Sequence, residues 1–451
     1  MKRFAFVLSM ALLCALPARA GDAPSMKTQD WIADFDTLYA AMKATHPALY
    51  HRTAAAEMDA YAAKFRAGIA NDTWPEYVMG LYGLLALVGD GHTTFYPQPD
   101  AGPGFDTRYP ILTQAFADGV YVIGADKAHA AAVGGKLVAV SGHPIADVFQ
   151  TTLAYWDHEN SMWVLNWFPF VLRRPGYLSG MHVTARDSAA PAIFTVEKGG
   201  KRTDFAVTPL AVDVDTAAQP DWVRARDEAH IAQPTPLHGK DIPFDFTYLK
   251  SANAVYAVYN QCSDGDTETV AAFAARLFEF VAGNKVDKLI IDIRHNGGGD
   301  NYKNQPLILG MIAAAGINRP GHLFVLTGRQ TFSAAQNFAA DAERWTQAIF
   351  AGEPTGSAPN LWGDAKQMEL PLTHLHPMVS TLYWQFSDPR DTRVWMLPDL
   401  PAPLSFADYL SGRDPALEAA LNYKDDPAAK PNRPNARWHR PSQSAAWPLP
   451  F

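Results

Sequence analysis

Two stretches of this chain hold residues whose types and spacing can do chemistry. The first, Lys288–Asp300, reads Lys-Leu-Ile-Ile-Asp-Ile-Arg-His-Asn-Gly-Gly-Gly-Asp, an apolar strand that stops at three glycines. The second, Gly321–Ala340, is another apolar strand, a turn, and a helical pattern that begins near Ser333. A glycine turn presents bare backbone N–H groups, and a helix start favours negative charge. Together they can supply a nucleophile and an oxyanion hole, the two needs of acyl transfer. Ser333 would be the nucleophile, and Gly297, Gly298 and Gly299, with the Ala334 N–H, the donors. The spacing serves simpler ends equally: Ser333 as a helix N-cap, and the glycines as a plain strand-to-helix turn. No Gly-x4-Gly-Lys-Ser/Thr phosphate loop and no Gly-x-Ser-x-Gly elbow occurs.

Both stretches resemble blocks of the tail-specific proteases, also called C-terminal processing peptidases, and of the related tricorn core. Two further blocks extend the likeness. Gly89-Asp90-Gly91-His92-Thr93-Thr94 is similar to the family's Asp-Gly-His-Thr segment, and Gly352-Glu353-Pro354-Thr355-Gly356 to its Gly-Glu-x-Thr-Gly segment. The resemblance runs from about Asp30 to Tyr423. It implies a serine peptidase without cofactor or metal, acting on peptides or proteins, in some members through their C-termini. It implies a multi-domain α/β fold: an N-terminal helical domain, a β-rich PDZ-like middle and a ClpP/crotonase-like α/β catalytic core.

The resemblance also frames the general base. Many members use a lysine roughly 25 residues past the serine, but here Thr355-Gly356-Ser357-Ala358-Pro359-Asn360 has none, and Lys366 lies beyond the expected place. The tricorn-like branch uses a histidine from the N-terminal part, which here is His92. That branch takes an orienting acid from a segment ahead of a Pro-Asp pair, here Pro398-Asp399. This implies Asp391 first and Asp388 second. A histidine base with an ordinary pKa gives activity that rises through roughly pH 6 to 7.5. Interphotoreceptor retinoid-binding proteins resemble the same family and bind apolar ligands without proteolysis. The missing lysine and the aromatic run Trp156–Phe170 thus leave an inactive hydrophobic-ligand or peptide carrier as the alternative.

The elements that position these residues follow from pattern. Trp31, Ile32, Phe35, Leu38, Tyr39 and Met42 fall at helical spacing, with two more helical patterns at about Ala54–Ile69 and Trp74–Val88. Pro97–Pro103 reads as a linker. Short strands, such as Gly119–Gly124 and Lys136–Ser141, are expected to dominate from Tyr109 to Leu210. Gly134–Ile145 resembles a PDZ strand and turn, and equally an ordinary hairpin. Core packing is the expected use of Trp156–Phe170. Strands at Ala254–Tyr259, Lys288–Ile293, His322–Thr327 and Ala348–Gly352 alternate with helical patterns, the mark of a layered, largely parallel sheet. The expected division is 1–20 signal peptide, 21–100 helical, 101–245 β-rich, 246–423 catalytic and 424–451 an extended surface tail.

Composition bounds the rest. The chain has 451 residues, 48% of them hydrophobic, which fits a packed protein of two or three domains. Lys2 and Arg3, the apolar run Phe4–Leu16 and Ala18-Arg19-Ala20 form a secretory signal with a cut before Gly21, so export to the periplasm or medium is expected. The run is too short for an ordinary membrane span. Cys14 lies inside it, leaving Cys262 as the one cysteine of the mature chain, expected to be a small buried hydrophobe. Cleavage leaves 35 basic residues against 46 acidic ones, a net charge of −11, which gives no electrostatic reason to bind nucleic acid. His374-x-His376 lacks a third ligand at metal-site spacing. Asp300 and Lys303 read as capping and solvating residues of the next helix.

Overall fold

The computed structural model describes residues 28–95, 102–211, 222–226, 242–424 and 447–451. The signal peptide, most of the Pro97–Pro103 linker and residues 425–446 of the tail lie outside the described residues. Three helices open the chain: α1 (Thr28–Thr45), α2 (Ala55–Gly68) and α3 (Trp74–Ala86). In α1, Phe35, Leu38 and Met42 form the buried stripe. Helix α3 starts at a capping box, in which Thr73 Oγ1 accepts from Glu76 N and the Glu76 carboxylate accepts from Thr73 N, with Pro75 in the first turn. It is apolar on all sides and almost wholly buried, so it runs through the core and delivers Val88–Phe95 to the interior. Asp34, also buried, accepts from Leu372 N, Thr373 N and Thr373 Oγ1 and ties α1 to a loop far along the chain.

The middle region holds a seven-stranded sheet whose main path is Ile111–Phe116, Gly119–Ala125, Lys136–Val140, Ala192–Lys198 and Lys201–Val207, all antiparallel. Strands dominate this region as expected except between residues 145 and 180. Helices α4 (Ile145–Tyr155), α5 (Ser161–Leu172) and α6 (Pro175–Gly180) stand there instead. Asn160 starts α5, its Oδ1 accepting from Met162 N and Trp163 N. Trp156, Met162, Trp163, Leu165 and Phe168 are buried in the main core, so the aromatic run packs the interior. The end of the tail packs as well: the Phe451 ring lies 4.8 Å from Phe149 and 5.9 Å from Phe168.

The C-terminal region is a six-stranded sheet in the order Phe244–Leu249, Ala254–Tyr259, Lys288–Asp292, Leu323–Thr327, Ile349–Gly352 and Leu400–Pro401. The first pair is antiparallel and the rest are parallel. Alternation decides which layer each strand residue meets. Val255, Ala257, Leu289, Ile291, Leu323 and Val325 pack with α7 (Val270–Gly283), α8 (Gln305–Ala313) and α9 (Ala334–Trp345). Tyr256, Val258, Ile290, Phe324 and Leu326 face the other way, onto α11 (Pro415–Asn422), which follows the short α10 (Phe406–Ser411).

Ion pairs fix the strand ends that carry the glycine turn. Arg294 reaches Asp292 at 2.6 Å and Asp414, the N-cap of α11, at 2.8 Å, and Tyr256 Oη donates to Asp292 at 2.6 Å. Arg329 pairs with Glu353 across the next two strands. Arg294→Ala would leave two buried carboxylates without their cation. It should cost about 3–5 kcal/mol of unfolding free energy. Urea denaturation checks this, and a loss under about 1 kcal/mol would contradict the role assigned to the pair.

Candidate active site

Ser333 stands in the turn between strand Leu323–Thr327 and α9, at φ 54° and ψ −126°. A non-glycine residue in that region costs on the order of 1–3 kcal/mol and persists only when its surroundings hold it. They do so here. Ser333 N donates to Ser357 Oγ at 3.2 Å, Phe332 N to Asn296 O at 3.2 Å, and Asn304 Nδ2 to Ala334 O at 2.8 Å. Although it occupies the N-cap position, the Ser333 side chain makes no cap bond. Its Oγ lies 2.9 Å from His92 Nε2. Phe332 is buried beside it, stacked 3.8 Å from Trp163 of α5 and 4.6 Å from the His92 ring.

His92 reaches this point on the short segment after α3. Asp90 organises that segment: its Oδ1 accepts from His92 N at 2.7 Å, Thr93 N at 2.6 Å and Ser380 Oγ at 3.0 Å. Its Oδ2 meets His46 Nε2 at 3.1 Å. Burial alone would raise the Asp90 carboxyl, but the His46 bond, the two N–H donors and the His92 ring outweigh it and hold the carboxyl below the usual range. Burial pushes His92 down to about 4, against the opposing pull of Asp90 and of the Trp362 backbone. The imidazole is therefore neutral at physiological pH. With its proton on Nδ1, on the Trp362 side, Nε2 is free to accept the Ser333 proton. Nδ1 is buried and has no partner in good hydrogen-bond geometry.

The glycine turn forms the floor. Gly298 and Gly299 have φ of 110° and 136°. A Cβ at Gly298 would lie 2.6 Å from Ser333 Cβ and 3.0 Å from Ala334 N, and one at Gly299 would lie 2.5 Å from Cys262 O. Only glycine allows this approach. Gly298 N–H is already taken, donating to Asn296 Oδ1 at 2.9 Å. The expected donor role of Gly298 is therefore corrected to a steric one. Gly297 borders open space. Ala334 N–H lies in the first turn of α9, where helical N–H groups lack partners within the helix.

Asp391 makes no hydrogen bond to His92. Its carboxylate is held by Arg393 at 2.8 Å and Ser387 Oγ at 2.6 Å, and Arg393 in turn pairs with Glu343 at 2.8 Å. Asp388 pairs with Arg390. Neither carboxylate is hydrogen-bonded to the imidazole, whose Nδ1 has no partner. Lys366 is exposed on the short strand Lys366–Gln367. Cys262 is fully buried, and burial pushes its thiol up to about 12. Asp300 Oδ1 accepts from Tyr302 N, Lys303 pairs with Asp264, and His374 pairs with Glu369. Among the described residues no group of three or more His, Cys, Asp or Glu can hold a metal ion. Sequence reasoning missed Ser357, which occupies the stretch searched for a lysine, and Glu159, a buried carboxyl beside Gly91. The pattern around Glu159, Asp157-His158-Glu159-Asn160 before an apolar helix, reads only as a helix start.

No protein-family profile matches the chain, and no curated protein matches it in sequence. Solved structures do match. Mature CPAF complexed with lactacystin aligns with a TM-score of 0.58 at 12% identity, over 88% of this chain and 99% of that one. A serine-to-alanine mutant of CPAF aligns at 0.56 and 12%, over 89% and 99%. The photosystem II D1 C-terminal processing protease aligns at 0.39 and 15%, over 88% and 98%. With its N-terminal helices, antiparallel middle sheet and layered α/β core, the chain has the fold of mature CPAF.

Proposed function

We propose that the chain is a serine-type peptidase of the tail-specific protease family, in its histidine-base branch. The observation that carries this is the 2.9 Å contact between His92 Nε2 and Ser333 Oγ, made by a neutral imidazole and a serine aimed out of a constrained turn. Ser333 Oγ attacks the scissile carbonyl while His92 Nε2 takes its proton. The tetrahedral oxyanion is met by the N–H groups of Ala334 and Gly297. His92 then returns the proton to the leaving amine, and water hydrolyses the acyl-enzyme by the same route reversed. Asp90 serves from behind, through the His92 backbone and its charge. The inactive-carrier reading finds no support in this arrangement: a carrier has no use for a strained serine bonded to a buried imidazole. The N-terminal sequence supports export, with the mature chain beginning at Gly21. No helix among the described residues is long and apolar enough to cross a membrane. A peptide or protein is the substrate, and the turn and strand in Gly134–Ile145 are the candidate reader of its C-terminus. Cleavage of a peptide library with free and amidated C-termini reads that preference directly.

Ser333→Ala should abolish peptide turnover with the thermal transition intact. His92→Ala should lower kcat on the order of a hundredfold or more with little change in KM. Lys366→Ala should match the parent. A dead lysine variant beside an active His92→Ala would restore a serine–lysine mechanism.

The pH profile carries a separate expectation. Burial disfavours the imidazolium, so the base stays neutral well below the ordinary histidine value near 6.5. The acid limb of kcat/KM should therefore have its midpoint at about 4 to 5 rather than between 6 and 7.5. A midpoint near 6.5 or above would show that the base is not this buried ring.

A further inference from the structure

The segment that carries the base is gripped by a helix far from the reacting atoms. His46 is the first residue past α1, and its N–H closes the helix on Met42 O at 3.1 Å. Side-chain exposure is nil at both His46 and Asp90. His46 Nδ1 accepts from Ala48 N at 3.0 Å, so that nitrogen carries a lone pair and the ring proton sits on Nε2. Nε2–H therefore donates to Asp90 Oδ2 at 3.1 Å. Oδ1 of the same carboxylate takes His92 N at 2.7 Å, Thr93 N at 2.6 Å and Ser380 Oγ at 3.0 Å. The His46 ring is packed between aromatic neighbours, with Trp362 at 4.7 Å and His51 stacked on it at 5.7 Å. The Ser380 loop leads back to the same helix. Ser380 N donates to Thr93 Oγ1 at 3.1 Å, and Thr94 and Met378 exchange backbone bonds at 3.0 and 2.7 Å. Asp34 of α1 anchors that loop by accepting from Leu372 N and Thr373 N.

Resting on the peptidase reading above, we propose that His46 is a positioning residue: with Nδ1 fixed by the Ala48 N–H, its Nε2–H holds the Asp90 carboxylate in the orientation that delivers the His92 ring to Ser333. The two oxygens of Asp90 divide the work. Oδ1 shapes the backbone of the segment, and the bond from His46 to Oδ2 sets the rotation of the carboxylate. Removing the Nε2 donor would strip a buried carboxylate oxygen of that bond. The carboxylate would turn to recover one, and the His92 and Thr93 N–H groups bonded to its other oxygen would follow. A base displaced by on the order of 1 Å can cost about a hundredfold in rate. The loss falls on kcat, because His46 stands behind Asp90 and not against the reacting serine.

Two amide variants separate this role from packing. His46→Gln and His46→Asn both remove the ring and its contacts with Trp362 and His51. The glutamine amide nitrogen reaches the place of Nε2 and can donate to Asp90 Oδ2. The asparagine amide is one bond shorter, reaches only the place of Nδ1, and leaves Oδ2 without its donor. A packing role would be lost equally in both, whereas the hydrogen bond survives in one.

The test uses the full chain and measures kcat and KM on a peptide that the parent cuts, with the thermal transition of each variant. His46→Gln should keep kcat within about threefold of the parent. His46→Asn and His46→Ala should lower kcat on the order of tenfold or more at unchanged KM. If His46→Ala does not fold, the glutamine and asparagine pair decides alone. A His46→Gln that falls as far as His46→Asn, or a His46→Asn that turns over like the parent, would overturn the positioning role while parental activity leaves the peptidase reading standing. Side-chain NMR of the histidine-labelled protein gives a readout that needs no turnover. His46 should carry its proton on Nε2, and the His92 ring signals should shift in His46→Asn but not in His46→Gln. A proton on His46 Nδ1, or His92 signals unchanged in His46→Asn, would overturn the proposal. If the parent cuts no peptide, the peptidase reading fails and these signals alone decide whether His46 positions His92.

Discussion

The hydrogen bond between His92 and Ser333 joins segments 241 positions apart, and most of the structure serves to keep its two ends still. One end is a serine in a backbone conformation that it would leave if released. The glycine floor at Gly298 and Gly299 lets the chain pass beneath it, Ser357 holds its N–H, and Asn304 holds the next carbonyl. The other end is an imidazole on a loop with no regular structure of its own. Asp90 gives that loop its shape by accepting from two backbone N–H groups and from Ser380, and by binding His46. A buried carboxylate with this many donors is a rigid node, because losing any of them leaves a charge unsatisfied in a low dielectric. Phe332, between Trp163 and the His92 ring, closes the space between the two ends with apolar surface.

The same burial that makes the site rigid sets its chemistry. An imidazole removed from water and lacking a carboxylate at Nδ1 is a weak base, and His92 is held down to about 4. Such a base is always in its working form at neutral pH but pulls less strongly on the serine proton. The geometry offsets this by placing Nε2 in direct contact with Oγ, and in the proposed mechanism the Gly297 and Ala334 N–H groups meet the oxyanion. Asp391, the acid that the sequence blocks suggested, serves instead in a buried cluster with Arg393 and Glu343 that ties its loop to α9. Glu343, 50 positions from Arg393, joins that cluster only in three dimensions.

Much of the site was legible because its residues sit where backbone geometry demands particular types. Three glycines after an apolar strand, and a serine between a strand and a helix, are local constraints written in adjacent residues. The parallel strands were legible for the same reason: strands buried on both faces leave unbroken apolar runs such as Ala254–Tyr259. The helices between residues 145 and 180 went unread within a region expected to be mostly strands, because α5 is apolar on every side and carries no period to distinguish it. The pairing of His92 with Ser333 was read only through resemblance, since no local pattern links them. Ser357, Glu159 and the lowered basicity of His92 had no sequence signal, because each depends on burial and on partners distant in the chain.

The most direct measurement is to treat the folded mature chain with a serine-directed fluorophosphonate and map the adduct by peptide mass spectrometry, with and without the His92→Ala substitution. The account predicts one stoichiometric adduct on Ser333, formed rapidly in the parent and slowly in the variant. An adduct on another serine, or equal labelling of Ser333 with and without His92, would contradict it.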